Sequence, residues 1–245
     1  MWIIGPEEQN KYLTELRGFV ATGNKAFLCN RLYKSVIGSP PTAQAIAFYY
    51  GIMKDKEIYA KIEDLLKLDT IGAPTQVKVK DKRFVGLNTT RYLDTIRLLK
   101  ENFNNLNDYN ITEIGVGFGG LAHCIKTMWN VKNYHLIDFT EAINFASDNL
   151  KQLGHTSQRG AIYNSDLAIA EYSITEHTED SLFELTDKHL MTAKNIFVRC
   201  NILDNRLKEK WLNHLKTVFD ISVSTELGDV VKMNCIVVGK KKYDN

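Results

Sequence analysis

A glycine-rich segment between two short apolar runs carries the residue types and spacing that best suit ligand chemistry. Gly115, Gly117 and Gly119 follow Glu113, and Asp138 ends the next apolar run. Glycine lets the backbone approach a ligand closely, and ligands bind beyond the carboxyl ends of strands in an open parallel sheet. A carboxylate at the end of the neighbouring strand can accept hydrogen bonds from ribose hydroxyls. These residues therefore predict a nucleotide-type site.

Two cofactor classes fit this segment. Gly115, Gly117 and Gly120 satisfy the G-x-G-x-x-G spacing of dinucleotide sites. Glu113, however, lies two residues before the first glycine, where a dinucleotide-binding strand usually carries a buried apolar residue. The resulting E-x-G-x-G-x-G pattern, which ends at Gly119, is typical of S-adenosylmethionine (SAM) methyltransferases. A carboxylate also suits a cationic ligand, so we expect SAM as the cofactor and keep NAD as the alternative.

The spacing of apolar residues predicts an α/β sheet downstream of residue 86. Thr89 or Thr90 is expected to cap the first helix of this region, and the runs 221–226 and 232–238 are expected to pair antiparallel because no helix separates them. The predicted strands are 111–114, 134–137, 161–162, 165–170 and 195–200, and the predicted helices are 89–99, 121–129, 141–153, 178–191 and 208–219. The fold class is therefore a Rossmann-like methyltransferase sheet, mostly parallel, with an antiparallel C-terminal hairpin.

Two domains are expected, an N-terminal helical block over residues 1–85 and a SAM-binding methyltransferase domain over residues 86–245. Helical spacing covers 8–19, 43–53 and 57–68. Thr42 is a plausible cap for the second of these helices, and a basic connector follows at 71–83. The N-terminal helices are expected either to cover the site and contact the acceptor or to form a passive packing extension.

The composition is that of an ordinary globular protein and narrows the choice of partners. Lysine and arginine (31) nearly balance aspartate and glutamate (29) over 245 residues, so no electrostatic footprint for nucleic acid is present. No apolar run is long enough to span a bilayer, and the N-terminus lacks the features of a signal peptide. Cys124, Cys200 and Cys235 fall in apolar runs, as expected for buried free thiols. We expect a cytoplasmic protein without membrane contact; its oligomeric state is not predicted.

Four separated motifs resemble those of the sugar O-methyltransferase family, SAM-dependent enzymes associated with bacterial glycan modification. That family shows an R-Y-L helix, an E-I-G-x-G-Y-G-G turn, a D-L-P-E block and an S-N-Y-A-F-S-E segment. The counterparts here are Thr90-Arg91-Tyr92-Leu93, Glu113-Ile114-Gly115-Val116-Gly117-Phe118-Gly119-Gly120, Asp138-Phe139-Thr140-Glu141 and Ala170-Glu171-Tyr172-Ser173-Ile174-Thr175-Glu176. Thr140 replaces the family's proline, and the last block keeps only the tyrosine and the final glutamate. The resemblance implies methyl transfer from SAM to a sugar hydroxyl, and the altered last block leaves the acceptor chemistry open.

The expected cofactor contacts come from the glycine turn and from residues at the ends of the strands beside it. They are Glu113, Gly115, Gly117, Gly119, Asp138, Phe139 and Glu171. Asp138 is expected to bind the ribose, and Glu113 to face the methionyl group. Phe139 lies against adenine or is a core aromatic. Glu171 ends the fourth strand, where the methyl group should point. No cluster of His, Asp and Glu has metal-ligand spacing, so no metal is expected.

The acceptor is expected to contact Arg91 and Tyr172, and its proton to pass to Glu176 or His177. Methyl transfer from a sulfonium is an in-line displacement that needs alignment and, for an alcohol, a base. Glu176 matches the final glutamate of the family, and His177 follows it directly. A Glu–His pair just before a helix also fits a capping or solvated role. Arg91 can bind an oxygen of the acceptor or pair with a surface acid.

The sequence thus predicts a SAM-dependent O-methyltransferase that acts on a hydroxyl of a sugar or glycan precursor. One alternative keeps the chemistry and changes the acceptor to another small molecule or a nucleic acid. The near-neutral charge counts against nucleic acid. A second alternative is a non-catalytic protein that keeps the fold for binding, which the altered fourth block leaves open.

Overall fold

The computed structural model describes residues 6–23, 26–202, 204–227 and 234–242. The α-helices are α1 (Pro6–Thr22), α2 (Arg31–Ile37), α3 (Thr42–Met53), α4 (Lys56–Ala60), α5 (Ile62–Leu65), α6 (Leu87–Phe103), α7 (Gly120–Met128), α8 (Thr140–Gln152), α9 (Glu179–Leu185) and α10 (Asn205–Leu215). The strands are β1 (Gln76–Lys78), β2 (Phe84–Gly86), β3 (Asn110–Ile114), β4 (Asn133–Ile137), β5 (Gln158–Arg159), β6 (Leu167–Glu171), β7 (Asn195–Cys200), β8 (Phe219–Thr225) and β9 (Cys235–Lys241). None of these helices is long and apolar enough to cross a lipid bilayer within the described ranges.

Within the described residues, seven strands form one sheet in the order β5-β4-β3-β6-β7-β9-β8. The first five are parallel, whereas β9 runs antiparallel to both β7 and β8. The carboxyl ends of β4, β3 and β6 therefore meet side by side, with β3 in the middle. This arrangement confirms the predicted Rossmann-like fold class, including its antiparallel C-terminal hairpin.

Alternating side chains divide the core between the two faces of the sheet. Ile169 and Phe197 belong to a hydrophobic cluster shared with the N-terminal helices, α6, α7 and α8. Ala170 and Val198, their neighbours along the same strands, belong to a second cluster that contains residues of α9 and α10. Successive residues of a strand point to opposite faces, so the strands β6 and β7 bury both faces.

The N-terminal helices pack against the sheet domain through aromatic rings. The ring of Phe27 lies 4.7 Å from that of Phe145 in α8 and 5.5 Å from that of Phe118, which follows Gly117 in the glycine-rich turn. On the surface, Arg17 of α1 forms an ion pair with Glu141 of α8 at 2.5 Å. One hydrophobic cluster contains residues from both parts of the chain. The two-domain division expected from the sequence stays a prediction.

The segment expected to be a connector forms a short hairpin instead. Strands β1 and β2 pair antiparallel, with Val77 opposite Val85, and both valines are buried. Two charged residues of the turn are paired, since Arg83 forms ion pairs with Glu63 and Asp81. The prediction was wrong here because single buried residues give too short a pattern to reveal a strand.

Several element boundaries also differ from the prediction. Helix α6 begins at Leu87, before the predicted caps, because Asp69 from the preceding segment accepts hydrogen bonds from the Gly86 amide and the Thr89 hydroxyl. Thr42 is the first residue of α3, and Pro41 is its cap. The predicted helices 57–68 and 178–191 are broken into shorter turns, and the strand expected at 161–162 lies at Gln158–Arg159. Distant caps and edge pairing are tertiary features that periodicity does not show.

Candidate functional site

The glycine-rich turn joins β3 to α7 and needs backbone conformations that favour glycine. Gly115, Gly117 and Gly119 have φ angles of 77°, 51° and 86°. A Cβ atom at Gly115 would overlap the side chain of Ser173, whose hydroxyl donates to the carbonyl of Ile114. The turn therefore depends on glycine both for its conformation and for its close contact with the segment after β6.

Asp138 follows β4 directly and is held by the neighbouring turn. Its Oδ2 accepts a hydrogen bond from the Val116 amide at 2.9 Å, and its Oδ1 accepts one from the Phe139 amide at 2.7 Å. Burial raises the pKa of Asp138 to about 6, against the opposing effect of these two amide donors. Each carboxylate oxygen keeps further acceptor capacity toward the space beyond the strand ends.

A narrow cavity of about 70 Å³ lies at the carboxyl ends of β4, β3 and β6. We call it the inner cleft. Its lining residues come from the strand ends, the glycine turn, α6 and the N-terminal helices: Tyr12, Val36, Ile37, Arg91, Tyr92, Glu113, Gly115, Val116, Gly117, Asp138, Glu171, Tyr172 and Ser173. Small-molecule sites usually enclose roughly 300–1,000 Å³. A ligand of nucleoside size therefore requires the side chains of the N-terminal helices to move.

Three carboxyl groups line the inner cleft, those of Glu113, Asp138 and Glu171. Glu113 is buried, and its Oε2 accepts a hydrogen bond from Tyr134 at 2.8 Å. Burial, together with the negative charges of Glu171 and Asp138, raises the pKa of Glu113 well above its ordinary value. Burial likewise raises the pKa of Glu171. A cationic ligand stabilises the ionised form of buried carboxyl groups such as these.

Arg91 and Glu171 face the inner cleft with unsatisfied polar atoms. Glu171 Oε2 and Arg91 Nε are buried without hydrogen-bond partners among the described residues, and they lie 3.9 Å apart. The Arg91 guanidinium is held between the rings of Tyr92 and Tyr172, 5.4 Å from each centroid. Buried polar groups are almost always satisfied in native proteins, so this pair is available to a polar ligand.

A second cavity of about 280 Å³, which we call the outer chamber, adjoins the inner cleft. Val36, Ile37, Arg91 and Tyr172 line both cavities. The remaining residues of the outer chamber are Ser35, Gly38, Ser39, Pro40, Pro41, Gln44, Asn201, Glu226 and Asn234. Most of these side chains are hydroxyls, amides or a carboxylate, so the outer chamber offers hydrogen bonds in many directions.

A buried ion cluster supports the wall between the two cavities. Arg199 is fully buried and pairs with Asp94 of α6 at 2.6 Å and with Glu226 after β8. Its Nε lies 3.5 Å from Glu171. The Tyr172 hydroxyl donates to Glu226 Oε1 at 2.5 Å, which fixes the ring beside Arg91. The cluster thus links the helix before β3, the end of β6 and the C-terminal hairpin.

The structure brings together most of the residues that the sequence pointed to. Arg91, Glu113, Asp138, Glu171 and Tyr172 line the inner cleft together with two of the glycines, Gly115 and Gly117. The third glycine, Gly119, ends the turn with its Cβ position against Leu150 of α8 rather than in the cleft.

Two further candidate residues, Phe139 and His177, lie outside the linings of both cavities. Phe139 packs against the hydrophobic core and is not among the residues that line either cavity. His177 follows the 3-10 turn Ser173–Glu176 and also lies outside both linings. The side chain of Glu176 lies outside the described part of the structure. Among the described residues, no group of three or more His, Cys, Asp or Glu side chains is arranged to hold a metal ion.

Four further residues shape the site, and only two of them could be recognised from the sequence. Tyr12 and Ile37 line the inner cleft from the N-terminal helices, and ordinary helical periodicity conceals such a role. Glu226 and Arg199 carried a usable signal, because Glu226 is an acid that ends a predicted strand and Arg199 is a charge within an apolar run. Charges of this kind are rarely buried unless they are paired.

Comparison with solved structures finds proteins that have a similar fold. No family model matches the chain, and no curated protein matches its sequence. Protein 1320 of Thermoplasma acidophilum is 12% identical, with a TM-score of 0.51 over 76% of this chain and 98% of that one. The N-methyltransferase NodS of Bradyrhizobium japonicum WM9, solved with S-adenosyl-L-homocysteine, is 15% identical, with a TM-score of 0.50 over 63% of this chain and 86% of that one. This chain therefore has the Rossmann-like fold found in methyltransferases.

Proposed function

We propose that this protein is a SAM-dependent methyltransferase that acts on a hydroxyl of a sugar or glycan precursor. The observation that carries the proposal is the charge of the inner cleft. Among the described residues that line it, Glu113, Asp138 and Glu171 are carboxylic acids and Arg91 is the single basic residue. The glycine turn beside them provides a surface to which a ligand can pack closely.

The charge of the inner cleft favours SAM over NAD. SAM carries a positive sulfonium and no phosphate, whereas the pyrophosphate of NAD is an anion that would lie among these carboxylates. Opposite charges within a few ångströms stabilise a buried carboxylate, and like charges destabilise it. Burial raises the pKa values of Glu113 and Glu171, and a nearby sulfonium would stabilise their ionised forms whereas a pyrophosphate would destabilise them.

The positions of the side chains suggest how the cofactor lies. Asp138 follows β4, and its carboxylate accepts hydrogen bonds from the ribose hydroxyls, as acids at this point of the fold do. Ile137 of β4 and Ala170 of β6 pair with Ile114 from opposite sides of β3, and Asp138 and Glu171 are the next residues along their strands. The backbones at Asp138 and Glu171 are therefore about two strand spacings, roughly 10 Å, apart. Glu113 and Glu171 face the methionyl end, where they can accept hydrogen bonds from its ammonium group. Bound there, SAM supplies an electrophilic methyl group.

The outer chamber is the proposed acceptor site. It meets the inner cleft at Arg91 and Tyr172, so an acceptor oxygen that reaches this wall is near the methyl group. The chamber offers many hydroxyl and amide groups, which suits a polyhydroxylated acceptor such as a sugar. We also propose that the protein works in the cytoplasm, without nucleic-acid partners.

Methyl transfer to a hydroxyl also needs a group that accepts the proton. Glu176 and His177 remain the candidates proposed from the sequence. Glu171 is a further candidate, because burial raises its pKa and its Oε2 has no hydrogen-bond partner among the described residues. A base with a raised pKa takes up a proton more readily near neutral pH.

Calorimetric titration with SAM, S-adenosylhomocysteine and NADH tests the cofactor. We expect SAM and S-adenosylhomocysteine to bind with dissociation constants on the order of micromolar, and NADH not to bind. Asp138→Ala should weaken SAM binding at least about tenfold, which corresponds to roughly 1.4 kcal/mol. Asp148→Ala, an exposed aspartate on α8, is the control and should bind as the wild type does.

Either of two outcomes would contradict this assignment. Folded wild-type protein that binds neither SAM nor S-adenosylhomocysteine would remove the methyltransferase proposal. Saturable NADH binding instead would restore the dinucleotide alternative.

If SAM binds, a panel of free sugars, nucleotide sugars and oligosaccharides is then screened for methylated product. Binding of SAM without methylation of any sugar would leave the cofactor assignment standing and remove the sugar acceptor.

A further inference from the structure

Cys200 and Cys235 lie directly opposite each other where β7 ends and β9 begins. Their Sγ atoms are 2.7 Å apart, so one thiol hydrogen-bonds to the other. Both are free cysteines. Opposed residues of an antiparallel pair have Cα atoms about 4.5–5.5 Å apart, within the roughly 4.4–6.8 Å that disulfides span. The backbone is therefore already placed for a bond between the two sulfurs.

We propose that Cys200 and Cys235 form a modification site at which a low-molecular-weight disulfide, such as oxidised glutathione, converts the two thiols into a disulfide bond. The Cys235 thiolate attacks a sulfur of glutathione disulfide and releases one glutathione thiolate. The Cys200 thiol then loses its proton, and its sulfur attacks Cys235 Sγ in the mixed disulfide. This second step releases the other glutathione thiolate, so two cysteine thiols are oxidised and one glutathione disulfide is reduced.

The order of these steps follows from the surroundings of the two sulfurs. The thiolate is the attacking form of cysteine. The hydrogen bond between the two thiols, together with the nearby charge of Lys208, lowers the pKa of Cys235 below its ordinary value. Cys235 is also the more exposed residue of this buried pair, with 4% of its surface exposed against 0% for Cys200. Cys235 is therefore the residue that meets the oxidant, and Cys200 resolves the mixed disulfide.

The other two cysteines lack this arrangement. Cys124 is buried in the core, and burial raises the pKa of its thiol well above the ordinary value. Cys29 is exposed, and its Sγ contacts the carbonyl of Ala73 at 3.4 Å. Neither is placed against a second thiol among the described residues. Cys29 therefore serves as the reference for an exposed thiol without a second thiol beside it, and Cys124 as the reference for a buried one.

The proposed bond would join two strands at the wall of the outer chamber. Asn201 follows Cys200, Asn234 precedes Cys235, and both asparagines line the chamber. The Asn234 side chain also donates to Glu226 at 2.8 Å. Oxidation would therefore fix the spacing of residues that the proposed acceptor contacts. The disulfide itself does not depend on the proposed function; only this consequence does.

The test equilibrates the full-length protein with mixtures of reduced and oxidised glutathione, then counts thiols and maps disulfide-linked peptides. In oxidising mixtures we expect Cys200 and Cys235 to lose their free thiols together and reversibly, whether or not the exposed Cys29 takes up glutathione. The linked peptide should join Cys200 to Cys235. A Cys29→Ser/Cys124→Ala variant should still form it, whereas Cys200→Ala should stop at a glutathione adduct on Cys235.

The wild-type protein alone suffices to overturn the proposal, so it does not depend on how the variants fold. Circular dichroism checks that each sample is folded. Folded protein that keeps all its thiols in every mixture, or that carries glutathione only on Cys29, would show that the pair is inert. A Cys200–Cys235 link that forms only in denaturant would show that the native structure does not direct it.

Discussion

At the scale of single residues, Asp138 shows how local contacts set the chemistry of the cleft. Two backbone amides hold its carboxyl group in place, while burial raises its pKa to about 6. The group is therefore protonated below about that pH and ionised above it. An ionised carboxylate forms stronger hydrogen bonds with ribose hydroxyls and attracts a cationic ligand. The raised pKa thus makes the proposed cofactor binding depend on pH.

We expect the affinity for SAM to fall as the pH is lowered through about 6, where Asp138 becomes protonated. The loss between about pH 7.5 and pH 5 should be on the order of tenfold, or about 1.4 kcal/mol. Asp138→Asn should bind weakly at both values and show a smaller pH dependence, because the titrating group is gone. Calorimetry at the two pH values measures this. An unchanged pH dependence in the variant would assign the effect to Glu113 or Glu171 instead.

At the scale of elements, the N-terminal helices determine access to the inner cleft. Tyr12 of α1 and Ile37 of α2 line it, and the Cδ1 of Ile37 lies 3.2 Å from the Cβ position of Gly117. These side chains leave a cavity of about 70 Å³, smaller than a nucleoside site needs. We therefore propose that these helices cover the inner cleft and shift when the cofactor enters.

Ile37→Ala should speed SAM association several-fold, because it removes part of the side chain that fills the cleft. The variant should lose roughly 1–2 kcal/mol of stability, less than a fully buried isoleucine would, since Ile37 is partly exposed. Ile46→Ala, a partly buried isoleucine on α3 that lines neither cavity, is the matched control. Stopped-flow fluorescence gives the rates. Equal association rates for both variants and the wild type would show that α2 does not limit entry.

At the scale of the whole molecule, Arg199 connects parts of the chain that are distant in sequence. It is fully buried in β7 and pairs with Asp94 of α6 and with Glu226 beyond β8. The removal of one partner from a buried ion cluster leaves the remaining charges without compensation. The C-terminal hairpin and the helix before β3 therefore depend on the same guanidinium group.

Arg199→Met should lower the free energy of unfolding by about 3–5 kcal/mol, because the buried Asp94 and Glu226 would both lose the guanidinium group that pairs with them. Arg97→Met, which removes a more exposed partner of Asp94, should cost less, roughly 1 kcal/mol. Urea denaturation measures both changes. Equal losses in the two variants would mean that the buried cluster contributes no more than a surface ion pair.

The fold could be predicted from the sequence because its signals are local. The apolar runs that became β3, β4 and β7, the glycines after Glu113 and the acid that ends β4 each follow from residue type and spacing. The absence of a helix between the last two strands was enough to predict the antiparallel hairpin. For the same reason, residue type and spacing alone point to the glycine turn and to Asp138.

Only the tertiary structure determined what surrounds those residues. The outer chamber, the cover formed by Tyr12 and Ile37, and the opposed pair Cys200 and Cys235 join segments that are far apart in the chain. Periodicity records which side of an element is buried, but not which element covers it. Sequence alone therefore determined the sheet and the proposed cofactor turn. The cover and the proposed acceptor chamber depend on how separate elements pack, which the tertiary structure decided.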